Sequence, residues 1–285
     1  MIYVSSSCVK ARSIGDSVRT LAQEGFTAIE LSGGTAGSGN LEQELLDLKK
    51  EYGLSFLCHN YFPPPPQPFV INLASLDAKI AQMSIEHLQG AIALSAKLNA
   101  PKFGFHAGFL INIPVAEVGK SISKRKLFNR SEAFEMFCRN FNKLRKAAGE
   151  KVELYIENNV VSEKNLANYE GINPLFITDE AGFNEFRSRI DFRPLLDLAH
   201  LKVSCRSLGL DFERQASFFI SSTDYIHVSD NDGRSDTNGP FIKGSAMYHL
   251  LERNDLKGKT FTLEVYSGIG DLKSSYQALA ELAHL

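Results

Sequence analysis

An α/β fold of the (β/α)8 TIM-barrel class, as one domain over residues 1–285, is what this sequence predicts, and three observations carry it. Short β-prone runs alternate with helical periodicities eight times. Such alternation builds a parallel sheet with helices outside it, and eight closed units typically take roughly 250 residues. The links from each helix to the next strand, such as Gly25-Phe26, Gly53 and Asn99–Pro101, are short, whereas those after the third, fourth, fifth and seventh strands are long. Barrels elaborate that side, because their active sites use the loops at the strands' C-terminal ends. No G-x-G-x-x-G or Walker loop follows any strand, which counts against the main rival, an open doubly wound nucleotide-binding sheet.

In order, Ile2–Ser5 is the first strand, and Ser13–Glu24 follows with Ile14, Val18 and Leu21 at helical spacing and Gly25 as its stop. Thr27–Leu31 is the second strand, ending Glu30-Leu31 before a Gly-rich turn at Ser32-Gly33-Gly34; its helix, Leu41–Tyr52, ends at the C-capping Gly53. Leu54–His59 is the third strand. The prolines of Tyr61–Pro66 cannot join a helix or a central strand, so a stiff loop follows. The third helix, Leu76–Leu98, carries Ile80, Met83, Ala91, Leu94 and Leu98 on one stripe. Lys102–His106 is the fourth strand, with a long loop through Lys120–Lys126 to Arg130, and Phe134, Phe137, Phe141, Leu144 and Ala148 mark the clearest helix. Val152–Glu157 is the fifth strand, and a loop with Asn173-Pro174 precedes a helix near Asp179–Arg189. Pro194–Leu198 is the sixth strand, running into Ala199-His200, with its helix near Leu208–Phe219. Tyr225–Val228 and a helix near Lys243–Glu252 make the seventh unit. Thr260–Val265 and a helix marked by Leu272, Tyr276, Leu279 and Ala283 make the eighth.

With 285 residues, 44% hydrophobic and 22% charged, the composition is that of an ordinary folded domain. A net charge of −2 offers a phosphate polymer or an anionic membrane no general attraction, so nucleic acid is disfavoured as a partner. No run approaches the ~20 apolar residues of a membrane span, and Met1-Ile2-Tyr3-Val4-Ser5 lacks the features of a signal peptide, so a cytoplasmic location is expected. Cys8, Cys58, Cys138 and Cys205 form no C-x-x-C pair, against a zinc knuckle or a disulfide framework. A homo-oligomer is left open.

The strand ends read together as Glu30, His59, His106, Glu157, Asp197 with His200, His227 and Glu264, which a closed barrel brings to one rim. Four of the seven histidines are in this set, while His87, His249 and His284 fall within predicted helices. Any one of these residues alone reads equally well as a cap or a loop hydrogen-bonding group. Jointly they point to one divalent metal ion, Mn, Mg, Co, Zn or Fe, because carboxylates and imidazoles suit hard or borderline ions and no thiolate is in the set. His87 reads as a packed helix residue, and the basic run Lys120–Lys126 as a solvated loop more readily than as a phosphate grip.

The segments Ala28-Ile29-Glu30-Leu31, Leu57-Cys58-His59, Gly104-Phe105-His106-Ala107-Gly108, Tyr155-Ile156-Glu157-Asn158, Leu196-Asp197-Leu198-Ala199-His200, Ile226-His227-Val228-Ser229-Asp230 and Leu263-Glu264-Val265 together resemble the xylose isomerase-like barrels. That superfamily includes sugar isomerases, ketose 3-epimerases, inosose dehydratases and the endonuclease IV type of DNA-repair enzyme. The resemblance spans essentially the whole chain. It implies that Glu157, Asp197, His227 and Glu264 ligate one divalent metal ion and that His200 touches substrate, as in the epimerases, or a further metal, as in the endonucleases. His59 and His106 match pocket-lining positions of the sugar enzymes, which hold an additional zinc in the three-zinc nucleases. The nuclease pattern has Asp-x-His after the seventh strand, where this chain has Asp236-Thr237-Asn238, and a neutral amide replaces an imidazole poorly as a zinc ligand.

The expected activity is therefore a metal-dependent sugar isomerase or epimerase acting on a small sugar or cyclitol. Glu157 and Glu264 would be the acid/base pair that moves a proton next to a carbonyl through an enediolate. Asp230 and Asp232 are expected to bind sugar hydroxyls or orient His227, or else to solvate their turn, and Tyr61–Pro66 either covers the substrate or is a static loop. An inosose-type dehydratase, an endonuclease IV-like apurinic-site endonuclease and a catalytically silent barrel are the alternatives.

Overall fold

A strand buried on both faces needs two sets of partners, and its alternating side chains can supply both. In the computed structural model, which describes residues 1–33, 36 and 39–284, the strands are β1 (Ile2–Ser5), β2 (Ala28–Leu31), β3 (Ser55–His59), β4 (Lys102–His106), β5 (Glu153–Glu157), β6 (Arg193–Asp197), β7 (Tyr225–Val228) and β8 (Thr260–Leu263). They pair in sequence order, all parallel, and β8 closes on β1 through Ile2 opposite Phe261 and Val4 opposite Leu263. Closure excludes the doubly wound sheet. Of the Gly-rich turn after β2, Gly34 lies outside the described residues.

The helices are α1 (Ile14–Gln23), α2 (Leu41–Tyr52), α3 (Ala78–Lys97), α4 (Arg130–Ala148), α5 (Glu163–Asn168), α6 (Glu180–Arg187), α7 (Leu198–Leu208), α8 (Phe212–Ser222), α9 (Ala246–Glu252) and α10 (Ile269–Leu282). One set of strand residues, among them Ile29, Phe56, Phe103, Phe105, Ile156, Leu196, Ile226 and Phe261, packs with Val18, Leu45, Leu88, Phe137 and Phe141 of the helices in the main core. The alternate set does something different. Tyr3, Leu57, Tyr155, Leu195 and Tyr225 form their own buried cluster, and the Lys102 ammonium lies 4.6 Å and 5.3 Å from the ring centres of Tyr155 and Tyr225. Two residues further along the same strands, on the same face, come His59, Glu157, Asp197 and His227. The inner side of the barrel is thus apolar low down and polar at its C-terminal end.

Gly104 is required by close approach. A Cβ there would stand 2.7 Å from His59 Cδ2 and 2.7 Å from Leu195 Cδ2, both fixed in the barrel interior. Gly104→Ala is expected to destabilise the chain by about 1–3 kcal/mol through overpacking, read as a lower midpoint in chemical denaturation. An unchanged midpoint would show that the interior has room to spare.

The sixth unit differs from its sequence reading. Strand β6 ends at Asp197 rather than Leu198, and α7 starts at once, a helix the sequence reading did not include. The run Leu198-Ala199-His200-Leu201-Lys202-Val203 is apolar enough to continue a strand, but the Asp197 carboxylate accepts the His200 N–H at 2.7 Å and caps the helix instead. Gly209, in the left-handed region, ends it, and α8 carries the second half. Strand β8 likewise stops at Leu263, one residue before Glu264. His284 lies past the end of α10. All four cysteines are free, and among the described residues no helix is long and apolar enough to cross a membrane.

Candidate active site

Glu157 closes β5 with its side chain buried, and four imidazoles surround its carboxylate. His59 Nε2 lies 2.9 Å and His106 Nδ1 3.0 Å from Oε2, while His227 Nδ1 and His200 Nδ1 lie 3.6 Å and 3.7 Å from Oε1. Burial alone would push the Glu157 pKa up, but His106, His59 and His200 outweigh it and hold the carboxyl well below its ordinary range. His227, from β7, is fully enclosed. Its Nε2 is 3.2 Å from Glu30 Oε2 of β2, and its Nδ1 faces Glu264 Oε2 at 3.7 Å as well as Glu157. Burial would lower the His227 pKa, yet Glu30 and Glu264 raise it well above the ordinary value. In return Glu264 is lowered, His227 overcoming its burial.

Asp197 behaves differently. Burial, reinforced by Asp236, Glu157 and Glu264, pushes its carboxyl up to about 7 despite the opposing His200. Asn158 fixes this corner, since its side chain accepts from Asp197 N at 2.7 Å, donates to Asp197 O at 3.0 Å, and its carbonyl meets His200 Nδ1 at 3.0 Å. His200 Nε2 in turn reaches Asp236 Oδ2 at 3.2 Å. His200 is raised well above its usual value, Asp197 and Asp236 outweighing burial, whereas burial takes His106 down to about 4.

Imidazoles driven upward by surrounding carboxylate mark a site short of positive charge, a charge that a divalent cation could supply in place of protons. The donors fit such an ion. His59–Glu157–His227, His106–Glu157–His200 and Glu30–His227–Glu264 each bring one ligand atom apiece within 4.8 Å of one another. Asp197 belongs to none of these three groups, but its Oδ2, with Glu30 Oε1, His106 Nδ1, His227 Nδ1 and Asp236 Oδ1, is buried without a hydrogen-bond partner. Carboxylate and imidazole together suit hard or borderline divalent ions.

A cavity of about 780 Å³ opens above this cluster, lined by His59, His106, Glu157, His200, Asp236 and Glu264 at its polar end. A family model described as a xylose isomerase-like TIM barrel matches residues 18–284. The chain belongs to that family. It is similar in structure to a D-tagatose 3-epimerase-like protein, with TM-score 0.72 and 17% identity over 99% of this chain and 96% of that one. It is similar also to D-psicose 3-epimerase with D-tagatose from Clostridium cellulolyticum, with TM-score 0.62 and 12% identity over 99% and 97% of the two chains. Endonuclease IV from Thermus thermophilus matches with TM-score 0.60 and 15% identity over 98% and 99%. At such identities these likenesses establish the shared barrel. No curated protein sequence matches the chain.

This member of the xylose isomerase-like family does not bring every expected site residue to the cavity. Asp230 pairs with Lys202 Nζ at 2.5 Å and accepts the Asn231 N–H, and Asp232 accepts the N–H groups of Arg234 and Ser235. Both carboxylates are engaged in shaping their loop, and neither lines the cavity. Of the basic run, Lys124 pairs with Glu170 and Arg125 with Glu117, leaving Lys120 as its cation at the cavity. Tyr61 lines the cavity, while Pro63–Pro66 border a separate shallow hollow. His87 sits half-buried on α3, edge-on to Phe69, as a packed helix residue would.

Three residues without an assigned role in the sequence reading prove central to the geometry. In the sequence Glu30 is a strand end without an evident partner, Asn158 is the residue after Glu157, and Asp236 lies where the nucleases have their Asp-x-His. The parity of β2 was the available signal for Glu30, because it places Ala28 in the inner cluster and Glu30 two residues beyond it. No local signal joins Asp236 to His200.

Proposed function

We propose that the chain is a divalent-metal-dependent sugar isomerase or epimerase, acting on a small ketose, aldose or cyclitol, with Glu157 and Glu264 as its proton-transfer groups. The observation that carries the reading is that His227 Nδ1 lies 3.6 Å from Glu157 Oε1 and 3.7 Å from Glu264 Oε2. Two carboxylates held below their ordinary range therefore converge on one buried imidazole, and both line a substrate-sized cavity. Neighbours that are sugar epimerases by name add support.

Glu157, Asp197, His227 and Glu264 would hold the ion. When bound, it supplies Lewis acidity to the oxygens beside the carbon that loses its proton. One glutamate takes that proton and the C–H electron pair moves into an enediolate as the carbonyl oxygen gains charge; carbon is then reprotonated by the carboxylic acid just formed or, on the opposite face, by the other glutamate after it has taken a proton from solvent. His59, His106 and His200 orient the substrate hydroxyls. His106, with its pKa near 4, does so as a neutral imidazole at neutral pH. A dehydratase uses the same base but expels a hydroxyl from the enediolate.

A second reading, an endonuclease IV-like enzyme, is favoured by one feature. His59 and His106 both reach Glu157 Oε2, and His200 reaches Asp236, which are contacts between residue pairs that could share further ions. The net charge of −2 and Asn238 in place of an imidazole weigh against it. Loading with Mn, Mg, Co, Zn or Fe and following solvent-deuterium uptake at carbon by NMR across ketoses, aldoses and cyclitols tests the first reading. Uptake that stops when a chelator removes the metal is the expected result; no uptake on any sugar sinks it. A content of one ion per chain fits the sugar enzyme, three zinc ions the nuclease.

A further inference from the structure

The cavity has a second end that acid/base chemistry on a bare sugar does not need. Val70, Phe109, Ile122 and Leu175 line it, and together with Ile111, Val161 and Tyr169 they form a hydrophobic cluster separate from the barrel's main core. Ile113 and Val118 extend this wall. The wall comes from the loops after β3, β4 and β5, and it is held in place from outside. Ile122 donates its N–H to Asn165 Oδ1 at 2.8 Å and accepts from Asn168 Nδ2 at 2.8 Å, the Tyr169 hydroxyl bonds to Ser123 O at 3.0 Å, and Glu117 grips Arg125 through contacts of 2.6 and 2.8 Å. Two of the polar side chains interspersed there are engaged with main chain: the Asn159 amide nitrogen donates to Gly108 O and Phe176 O, and the Asn165 amide to Lys120 O.

A sugar carries a hydroxyl on almost every carbon, and a hydroxyl against such a wall loses water without gaining a partner, at a cost of about 1–3 kcal/mol. An alkyl or aryl group there instead leaves water favourably. The volume of about 780 Å³ also falls in the upper part of the roughly 300–1,000 Å³ range of pockets for drug-sized ligands. We infer that the substrate is a keto sugar or keto cyclitol bearing an apolar alkyl or aryl substituent, whose polar ring keeps the carbonyl and meets Glu157 and Glu264 while the substituent lies against Phe109, Ile113, Ile122 and Leu175. The inference rests on the sugar-enzyme reading of the polar end and narrows its substrate class.

The test is the affinity of the metal-loaded protein for D-glucose and for its methyl, butyl and hexyl β-glucosides, by calorimetry, alongside deuterium uptake at carbon on free ketoses. Affinity is expected to rise roughly fourfold per added methylene, the factor equivalent to about 0.8 kcal/mol, until the wall is covered. Ile113→Asn, at a half-buried position that the fold tolerates better, and Phe109→Ala should each narrow the hexyl-to-methyl ratio. A series that stays flat or falls with chain length, or no binding by any member, overturns the inference, whatever the uptake assay gives. A rising series without deuterium uptake on any sugar leaves the apolar subsite standing and removes the isomerase reading.

Discussion

Glu157→Gln is expected to abolish proton transfer at carbon while leaving a folded barrel. The substitution keeps the shape of the side chain but removes the charge that four imidazoles face. A lost general base lowers turnover by about 10²–10⁴-fold, and the effect should reach the upper end because the same oxygens are proposed metal ligands. The glutamine amide must also turn its N–H₂ group toward one pair of imidazoles, either His59 and His106 at the Oε2 position or His200 and His227 at the Oε1 position. Deuterium uptake by NMR and ion content by atomic spectroscopy read the two losses, and circular dichroism verifies the fold. Uptake within a few-fold of the parent chain would rule out Glu157 as base and acid alike.

The second large effect is expected at Glu30, which no proposed step of chemistry touches. Its Oε2 lies 3.2 Å from His227 Nε2 and accepts the Thr262 hydroxyl at 3.1 Å, and Glu30, His227 and Thr262 are fully buried. Holding Nε2 with a carboxylate leaves Nδ1 to face Glu157 and Glu264. Carboxylates behind a metal-binding imidazole fix its tautomer and raise its basicity, and losing one typically costs 10–100-fold in metal affinity or activity. Glu30→Gln should therefore weaken ion binding by about that factor with little loss of stability, since an amide oxygen still accepts from Thr262. Glu30→Ala removes one partner of a buried pair and should cost about 3–5 kcal/mol. Titration of the metal-free variants with Mn or Zn, and the imidazole nitrogen shifts of His227, separate the two effects. Unchanged metal affinity in Glu30→Gln would reduce Glu30 to a packing role.

The contrast between these residues explains what could be read in advance. Glu157 and His227 end apolar runs bounded by turns, so local pattern alone put them on a rim, and the same holds for His59, His106 and Asp197. Glu264 lines the cavity beside Glu157, His59 and His106 although β8 stops a residue earlier. The capping role of Asp197 was less legible, because Leu198–Val203 is as apolar as a strand and the deciding event is one hydrogen bond to His200 N. For Asp230 and Asp232 the sequence leaves sugar binding, orientation of His227 and solvation of the turn open. Their loop is acidic and follows the histidine strand, but Lys202, from a different element, captures Asp230, and the turn's own N–H groups capture Asp232.

By itself the sequence determined the eight alternating units, the parity that sends one set of strand residues inward, and the polar character of the strand ends, because these depend on periods of two and 3.6 residues and on caps that act over a few positions. Tertiary structure decided which polar ends meet. Glu30 and His227 stand 197 residues apart in the chain and touch only because the barrel closes. The apolar wall of the cavity likewise exists only where the loops after β3, β4 and β5 pack together. Such contacts depend on the closure and stagger of the whole sheet and on loop packing, which no short window of sequence encodes.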